Sequence, residues 1–523
     1  MPHAQVSDRL SPLDALFLYI EKKEMPLHIG SVFVFDGPIA VGDLKALVES
    51  KLPLIGRYRQ RVVFPPLNAG YPTWEDDPDF DIDRHLRGVR LATGSLEELQ
   101  DLAGKCFSQI MDRDRPLWDL TLVDGYQGER SALIARVHHC LVDGVAGVRL
   151  MNLILAGNPD APFPVKTEKH PFHPRPLPTP ERSFTDAVIS SYSHTLDRLF
   201  SLQSAALAVA AATFGEAIEG TLGRAVAQVP ELVQPVKPFP FNQPCQGPRR
   251  VSWAEIPMSE ISACREPYGV KVNDIGLMLL AAAARRYARV HHVPVKNRPL
   301  RLMVPVNLRG DDIDGSLGNR ISLIPVNIPL DIADPGELLR SIHERTVGLK
   351  HAHAASVMAL GGTFLTVLPV PVQATLCGLL SNNVSVLPFD MVCTNVPGPV
   401  EPLYLLGRKM LTYYPYVPIG DFMGICCAMA SYNGTMYFGL TGDSALAPDL
   451  DRLRDFLHEA FTELREDALA RRSGRKPASS SHAKPARRRA ENRRAAGLRT
   501  KTESMGNTTP SPSDLGVPIS SEV

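Results

Sequence analysis

The chain has 523 residues, 44% of them apolar and 21% charged, an ordinary globular balance and enough length for two core-sized units. Its formal net charge is zero, so no global field argues for nucleic acid or an acidic substrate. That zero hides an asymmetry: Arg471 to Lys501 is heavily basic, with Glu491 alone among its acids, which leaves the preceding part mildly acidic.

The eight cysteines, at positions 106, 140, 245, 264, 377, 393, 426 and 427, form no Cys-x-x-Cys pair. They predict a reduced, cytosolic chain without a zinc knuckle. The N-terminus has no basic stretch followed by an apolar one, so a secretory signal is not expected. No run of 18 uninterrupted apolar residues predicts a membrane-spanning helix.

In chain order, Ser11-Pro12-Leu13-Asp14 reads as a helix start, with Ser as N-cap and Pro in the first turn. His28–Phe35 is a strand by its β-branched and aromatic content, Val41–Lys51 a helix, and Trp74–Ile82 a short strand or extended segment. Leu96–Met111 has helical periodicity, and Ser95 with Glu98 has capping-box spacing. Leu117–Val123 and Ala132–Val137 are strands that can pair across a turn at residues 125–128. A helix is expected after Gly144. Residues 158–248 hold two proline-rich linkers around a long alanine-rich helical insert, Phe184–Val233.

The second α/β unit spans 249–470. Helices are expected over Asn273–Val290, Pro335–Ala352 and Pro448–Ala468. Strands are expected over Leu302–Val306 and Ile321–Ile328, with more inside Phe389–Asn395 and Gly424–Leu440. With 1–157 as the N-terminal unit, the remaining 471–523 is a basic tail too poor in aromatics to bury a core.

The chemistry points to residues 135–147, where a strand ends in His138-His139 and a tight connection carries Asp143-Gly144 into a helix. A histidine at a strand end is well oriented, and its imidazole is substantially neutral near pH 7, as a general base requires. Asp143 suits fixing the turn, and Gly144 a backbone that a side chain would forbid. No His-Glu-x-x-His pattern exists and adjacent residues point apart, so no metal is expected. His291-His292 reads as a solvated helix end.

His138-His139-x-x-x-Asp143-Gly144 resembles the motif of the CoA-dependent acyltransferase superfamily. Further stretches are similar to the bacterial wax ester synthase/acyl-CoA:diacylglycerol acyltransferase family. These are Arg9–Asp14 with Phe17 and Glu21, Pro116-Leu117-Trp118, Asn273-Asp274, Gly318-Asn319 and Thr394–Pro399. They occur in order over about residues 9–465.

The resemblance implies a two-domain, pseudo-symmetric α/β fold of the chloramphenicol-acetyltransferase or condensation-domain kind, with a tunnel at the domain interface. It implies His139 as general base for attack of an alcohol on an acyl-CoA thioester, with His138 either positioning it or lining the tunnel. No acyl-enzyme, and hence no nucleophilic Cys140, is needed. Asn273 is the candidate oxyanion donor or else a helix N-cap with Asp274 in the first turn. Pro116-Leu117-Trp118 either meets substrate or simply packs.

The expected substrates are a long-chain acyl-CoA, with no cofactor, and diacylglycerol or a long-chain alcohol. They would be met peripherally at the inner face of the membrane or at a lipid droplet. The 184–233 insert could lie in that interface or pack between domains. The tail could attract anionic lipid, or serve only solubility or loose nucleic-acid contact. Rival readings are a condensation-like or polyketide-linked acyltransferase, and a catalytically silent lipid-binding protein.

Overall fold

The structure, a computed structural model, describes residues 8–141, 149–161, 172–192, 238–307, 321–351, 368–383 and 389–473. Two six-stranded mixed sheets organise them. The first is built around the hairpin of β5 (Trp118–Tyr126) and β6 (Arg130–His138), whose turn holds Gly125, Gln127 and Gly128 at positive φ. β1 (His28–Phe35) pairs antiparallel with β6, putting His28 opposite His138, and β4 (Leu86–Arg90) pairs parallel with β5. β2 (Gln60–Val63) and β3 (Thr73–Asp76) form a separate ribbon.

The second sheet contains β7 (Arg249–Pro257), β8 (Pro299–Asn307), β9 (Ile321–Pro329) and β10 (Met391–Val396). The hairpin of β13 (Ile425–Tyr432) and β14 (Thr435–Asp443) completes it. Asn433 and Gly434, both at positive φ, make that hairpin's turn. β11 (Tyr404–Leu405) and β12 (Arg408–Tyr416) leave this half of the chain and extend the first sheet, β12 antiparallel to β1. Gly439 lets β12 cross close over β14, because a Cβ there would collide with the Pro415 carbonyl.

Burial follows the alternation. The first apolar core takes in Val32, Phe35, Leu120, Leu133 and Phe107 together with Trp253 and Tyr416 from the far half. The second wraps the helix Val272–Val290, apolar nearly all round and enclosed by β-strands and by the helices Pro335–His351 and Leu450–Arg472.

Several sequence expectations meet their elements. Ser11 caps the helix Pro12–Ile20 by accepting from the Asp14 N–H, and Val41–Lys51 is a helix. Trp74–Ile82 is strand only as far as Asp76, after which the chain turns and Ile82–Arg84 is a 3-10 turn. The helix from Leu96 ends at Phe107. Its capping box is half made: Ser95 accepts from the Glu98 N–H, but the Glu98 carboxylate takes the amides of Ala92, Thr93 and Gly94 instead of that of Ser95. Gly318-Asn319, most of the 184–233 insert and the tail beyond Ser473 lie outside the described residues.

Candidate active site

β6 delivers both histidines. The His138 N–H donates to the Leu117 carbonyl at 2.9 Å, and the His139 N–H to the Leu27 carbonyl at 3.0 Å, so two neighbouring segments fix the backbone before the side chains matter. The His138 ring is fully buried, and its Nδ1 accepts from the Cys140 N–H at 3.1 Å. The ring proton therefore sits on Nε2, which lies 3.2 Å from Glu21 Oε1. Glu21 is itself buried and accepts from the Leu27 N–H and from Arg113. Burial works to raise the Glu21 carboxyl, but His138, the Leu27 amide and Arg113 outweigh it and hold it below the usual range.

His139 sits in a different environment. Its ring stacks on Phe17, centroids 3.9 Å apart and planes 12° from parallel. Burial first, and the neighbouring His138 second, pull its pKa down to about 4, so the imidazole is neutral at physiological pH. Its Nδ1 is buried without a hydrogen-bond partner on another described residue, and its own carbonyl is what favours a proton there. That tautomer leaves the Nε2 lone pair to take a proton. Cys140 is buried against this pair, and its thiol is pushed well above the ordinary value by burial and then by Asp14 and Glu21. A thiol so held is not a nucleophile. Asp143 and Gly144 fall outside the described residues.

Leu117 and Trp118 are core residues, 0% and 2% exposed. The Trp118 Nε1–H donates to the Tyr58 carbonyl at 2.8 Å, and its ring stacks on His85. Pro116 is buried beside them. Such burial is what the packing alternative for this triplet expects, and through the Leu117 carbonyl the triplet positions His138.

Asn273 is not the N-cap of its helix; Lys271 is, and Asn273 stands in the first turn. Its Oδ1 accepts from Asn395 Nδ2 at 3.1 Å, which brings together two of the late motifs, 122 residues apart. Asp274 is buried and structural: it accepts from the Lys271 N–H, from His343 Nδ1 at 2.7 Å and from Thr346 at 3.0 Å. No hydrogen bond or ring contact among the described residues joins Asn273 or Asn395 to His139. Nor do three or more metal-ligating side chains gather among them.

A cleft of about 440 Å³ is lined by Glu21, which faces His138, and by Leu18, Tyr19, Phe64, Asn68, Arg113, Ala374 and Thr375.

Comparison with known proteins decides the family. The wax ester synthase/diacylglycerol acyltransferase catalytic domain matches residues 10–276, and the C-terminal domain of the same family residues 317–465. The chain belongs to this family. A Mycobacterium tuberculosis protein named as a probable diacylglycerol O-acyltransferase is 30% identical over 480 residues, covering 87% of this chain and 96% of that one. A second protein so named from the same species is 29% identical over 483 residues, covering 88% and 99%. Among solved structures, the wax ester synthase/diacylglycerol acyltransferase from Marinobacter aquaeolei VT8 superposes with a TM-score of 0.62 at 26% identity, over 88% of this chain and 99% of that one. A condensation domain of the calcium-dependent antibiotic synthetase shares the two-domain fold alone, with a TM-score of 0.56 at 13% identity over 91% and 98%.

Within this wax ester synthase/diacylglycerol acyltransferase chain, two site residues had a motif but no role in the sequence: Phe17, which supports the His139 ring, and Glu21, which faces His138. Both sit in the family-like opening segment, more than 110 residues before the histidines. The signal was present, but the pairing depends on the helix Pro12–Ile20 packing against the end of β6.

Proposed function

We propose that the chain transfers a long-chain acyl group from CoA to the hydroxyl of diacylglycerol, with long-chain alcohols as further acceptors, and that His139 is the general base. The observation that carries this reading is His139 itself: half-buried, stacked on Phe17 and neutral, in a chain of the wax ester synthase/diacylglycerol acyltransferase family.

In the proposed step the acceptor oxygen attacks the thioester carbonyl while His139 Nε2 removes its proton. The tetrahedral intermediate collapses, the C–S bond breaks, and the CoA thiolate takes the proton back from His139. Acyl-CoA is consumed as substrate and no cofactor enters. His138, its Nε2 facing Glu21, holds the strand end from which His139 projects. Asn273, with its Oδ1 engaged by Asn395, has its Nδ2 left to donate to the oxyanion. Asp143 and Gly144 are assigned to the turn that follows the histidines.

The enzyme would work peripherally, at the inner membrane face or a lipid droplet. No described helix is long and apolar enough to cross a membrane. The test is to incubate the purified protein with labelled palmitoyl-CoA and either dioleoylglycerol or hexadecanol. Label in triacylglycerol or wax ester is expected. Label in neither product from folded protein would refute the activity.

A further inference from the structure

The helix over residues 180–192 is turned inside out for a surface helix. It buries Ala187, with Ser183 and Ser190 half-buried beside it, and exposes Phe184, Val188, Ile189 and Tyr192 on the opposite arc. An amphipathic helix on a water-facing surface does the reverse. The buried arc is held firmly. A Cβ on Gly70 would lie 2.7 Å from the Ala187 carbonyl oxygen, and Arg9 donates to the Asp186 carbonyl.

The loop beneath it repeats the pattern. Leu67 is 84% exposed and stands at φ 56°, a left-handed conformation that a branched side chain rarely adopts. On the loop's other side the Tyr71 hydroxyl donates to Gln373 Oε1 at 2.9 Å, seating the helix Val370–Asn383, whose Val372 is 47% exposed. Three elements locked together thus present bulky apolar side chains outward. Two of them border the cleft that Glu21 lines, since Asn68 adjoins Leu67, and Ala374 and Thr375 follow Val372.

We propose that this rim is a lipid-docking surface: Leu67, Val188, Ile189, Tyr192 and Val372 insert into a bilayer or droplet monolayer and hold the cleft mouth against the lipid. The proposal rests on the acyltransferase reading, because an acceptor that lives in lipid must pass from there to His139 without crossing water. Continuity of the exposed apolar rim with the cleft lined by Glu21, whose carboxylate faces His138, is what selects lipid as the occupant. Scattered apolar residues on a protein surface need no partner, but a contiguous rim around a site opening does. Tyr192 suits the headgroup level, where a ring with one polar end is at home.

The test is sedimentation of the full chain with sucrose-loaded phosphatidylcholine vesicles containing dioleoylglycerol, wild type beside the triple variant Leu67→Ser/Ile189→Ser/Tyr192→Ser. The variant should bind vesicles about tenfold more weakly or worse, given the apolar area it withdraws. Its turnover of vesicle-borne dioleoylglycerol should fall in parallel, while turnover of 1-hexanol, a water-dispersed acceptor, stays within about twofold of wild type. Equal vesicle binding by the two proteins would overturn the proposal, as would equal loss on both acceptors. The binding arm needs no turnover, so it reads the surface even if the acyltransferase reading fails.

Discussion

At the end of β6 and at the start of the helix Val272–Val290 the chain buries ionisable side chains, and it treats the two clusters differently. Asp274 has a donor for each carboxylate oxygen: the Lys271 N–H and His343 on one, Thr346 on the other. His139 is given a ring to stack on and a desolvated pocket, but no partner on another described residue for its buried Nδ1. A fully satisfied buried carboxylate ties elements together. A half-buried imidazole held neutral, its buried Nδ1 under-satisfied, is stabilised less than it could be, and that is the condition in which it can take a proton from something else. Both motifs stand out in the sequence; the difference in their surrounding donors supports the proposal that His139 carries the chemistry while Asp274 ties elements together.

The largest expected effect falls on His139. His139→Ala should lower turnover of palmitoyl-CoA with dioleoylglycerol by about a thousandfold, within the range that a positioned base contributes. The melting temperature should not fall, since a desolvated imidazole is removed. The pH profile sharpens the same point. With the folded pKa near 4, the acid limb of kcat/KM should sit near pH 4, not near the unperturbed histidine value of about 6.5. The sign for stability follows from linkage. Between those two values the unfolded chain binds the proton and the folded chain does not. Stability is therefore complete above the higher value and declines as pH falls toward the lower one. In His139→Ala that slope should flatten, measured by urea unfolding across the window. An acid limb near 6.5 with an unchanged slope would place the base elsewhere.

Asp274→Ala should invert the pattern. Removing the carboxylate strands the Lys271 amide and Thr346 and unties two helices, at a cost of about 3 kcal/mol in urea unfolding. Turnover per folded molecule should stay close to wild type. Lost turnover at retained stability would break the comparison and move Asp274 into the site.

The unequal legibility of the two halves has the same root. His28–Phe35 and Val41–Lys51 were readable to the residue, because local periodicity and propensity agree there. The β5–β6 hairpin is legible as a hairpin through its local glycine turn, with strand ends one to three residues from the observed ones. β12 was not read. It carries Pro415, and its place beside β1 depends on a pairing across some 380 residues that no local pattern encodes. Phe17 and Glu21 were visible as motif letters, but their partners are contacts between the first helix and the end of a distant strand. Asn273 stands two residues past the cap: the extended Lys271 before it takes the capping position although a lysine side chain has no acceptor to offer.

Glu21 tests the cluster at a smaller scale. It is a positioning residue, acting on the site through His138. Glu21→Gln keeps the size and removes the charge that faces His138 and Arg113. We expect kcat to fall by about tenfold, equivalent to about 1.4 kcal/mol of transition-state stabilisation. KM for palmitoyl-CoA should stay near wild type, a split that a general loosening of the fold would not produce. The carboxyl is held low in the folded state, so its contribution to stability is present at neutral pH and is lost as pH falls through its folded value. Wild type should show that loss and Glu21→Gln should not.

The smallest effect belongs to Cys140, and it separates two chemistries that the site's residue types alone allow. A cysteine beside a histidine is the layout of an acyl-enzyme mechanism. Here the electrostatics run the wrong way. Both the Cys140 sulfur, at 2.9 Å, and its backbone N–H, at 3.1 Å, face the His138 Nδ1, but the sulfur is buried and resists ionisation. Cys140→Ala keeps that amide and removes one buried sulfur, so it should cost about 1 kcal/mol of stability. Turnover should stay within about twofold of wild type, and no acylated protein should accumulate in either form when palmitoyl-CoA is supplied without acceptor. A labelled thioester on wild type that disappears in Cys140→Ala would replace direct transfer with a two-step route. His139 would then serve the thiol before it serves the acceptor alcohol.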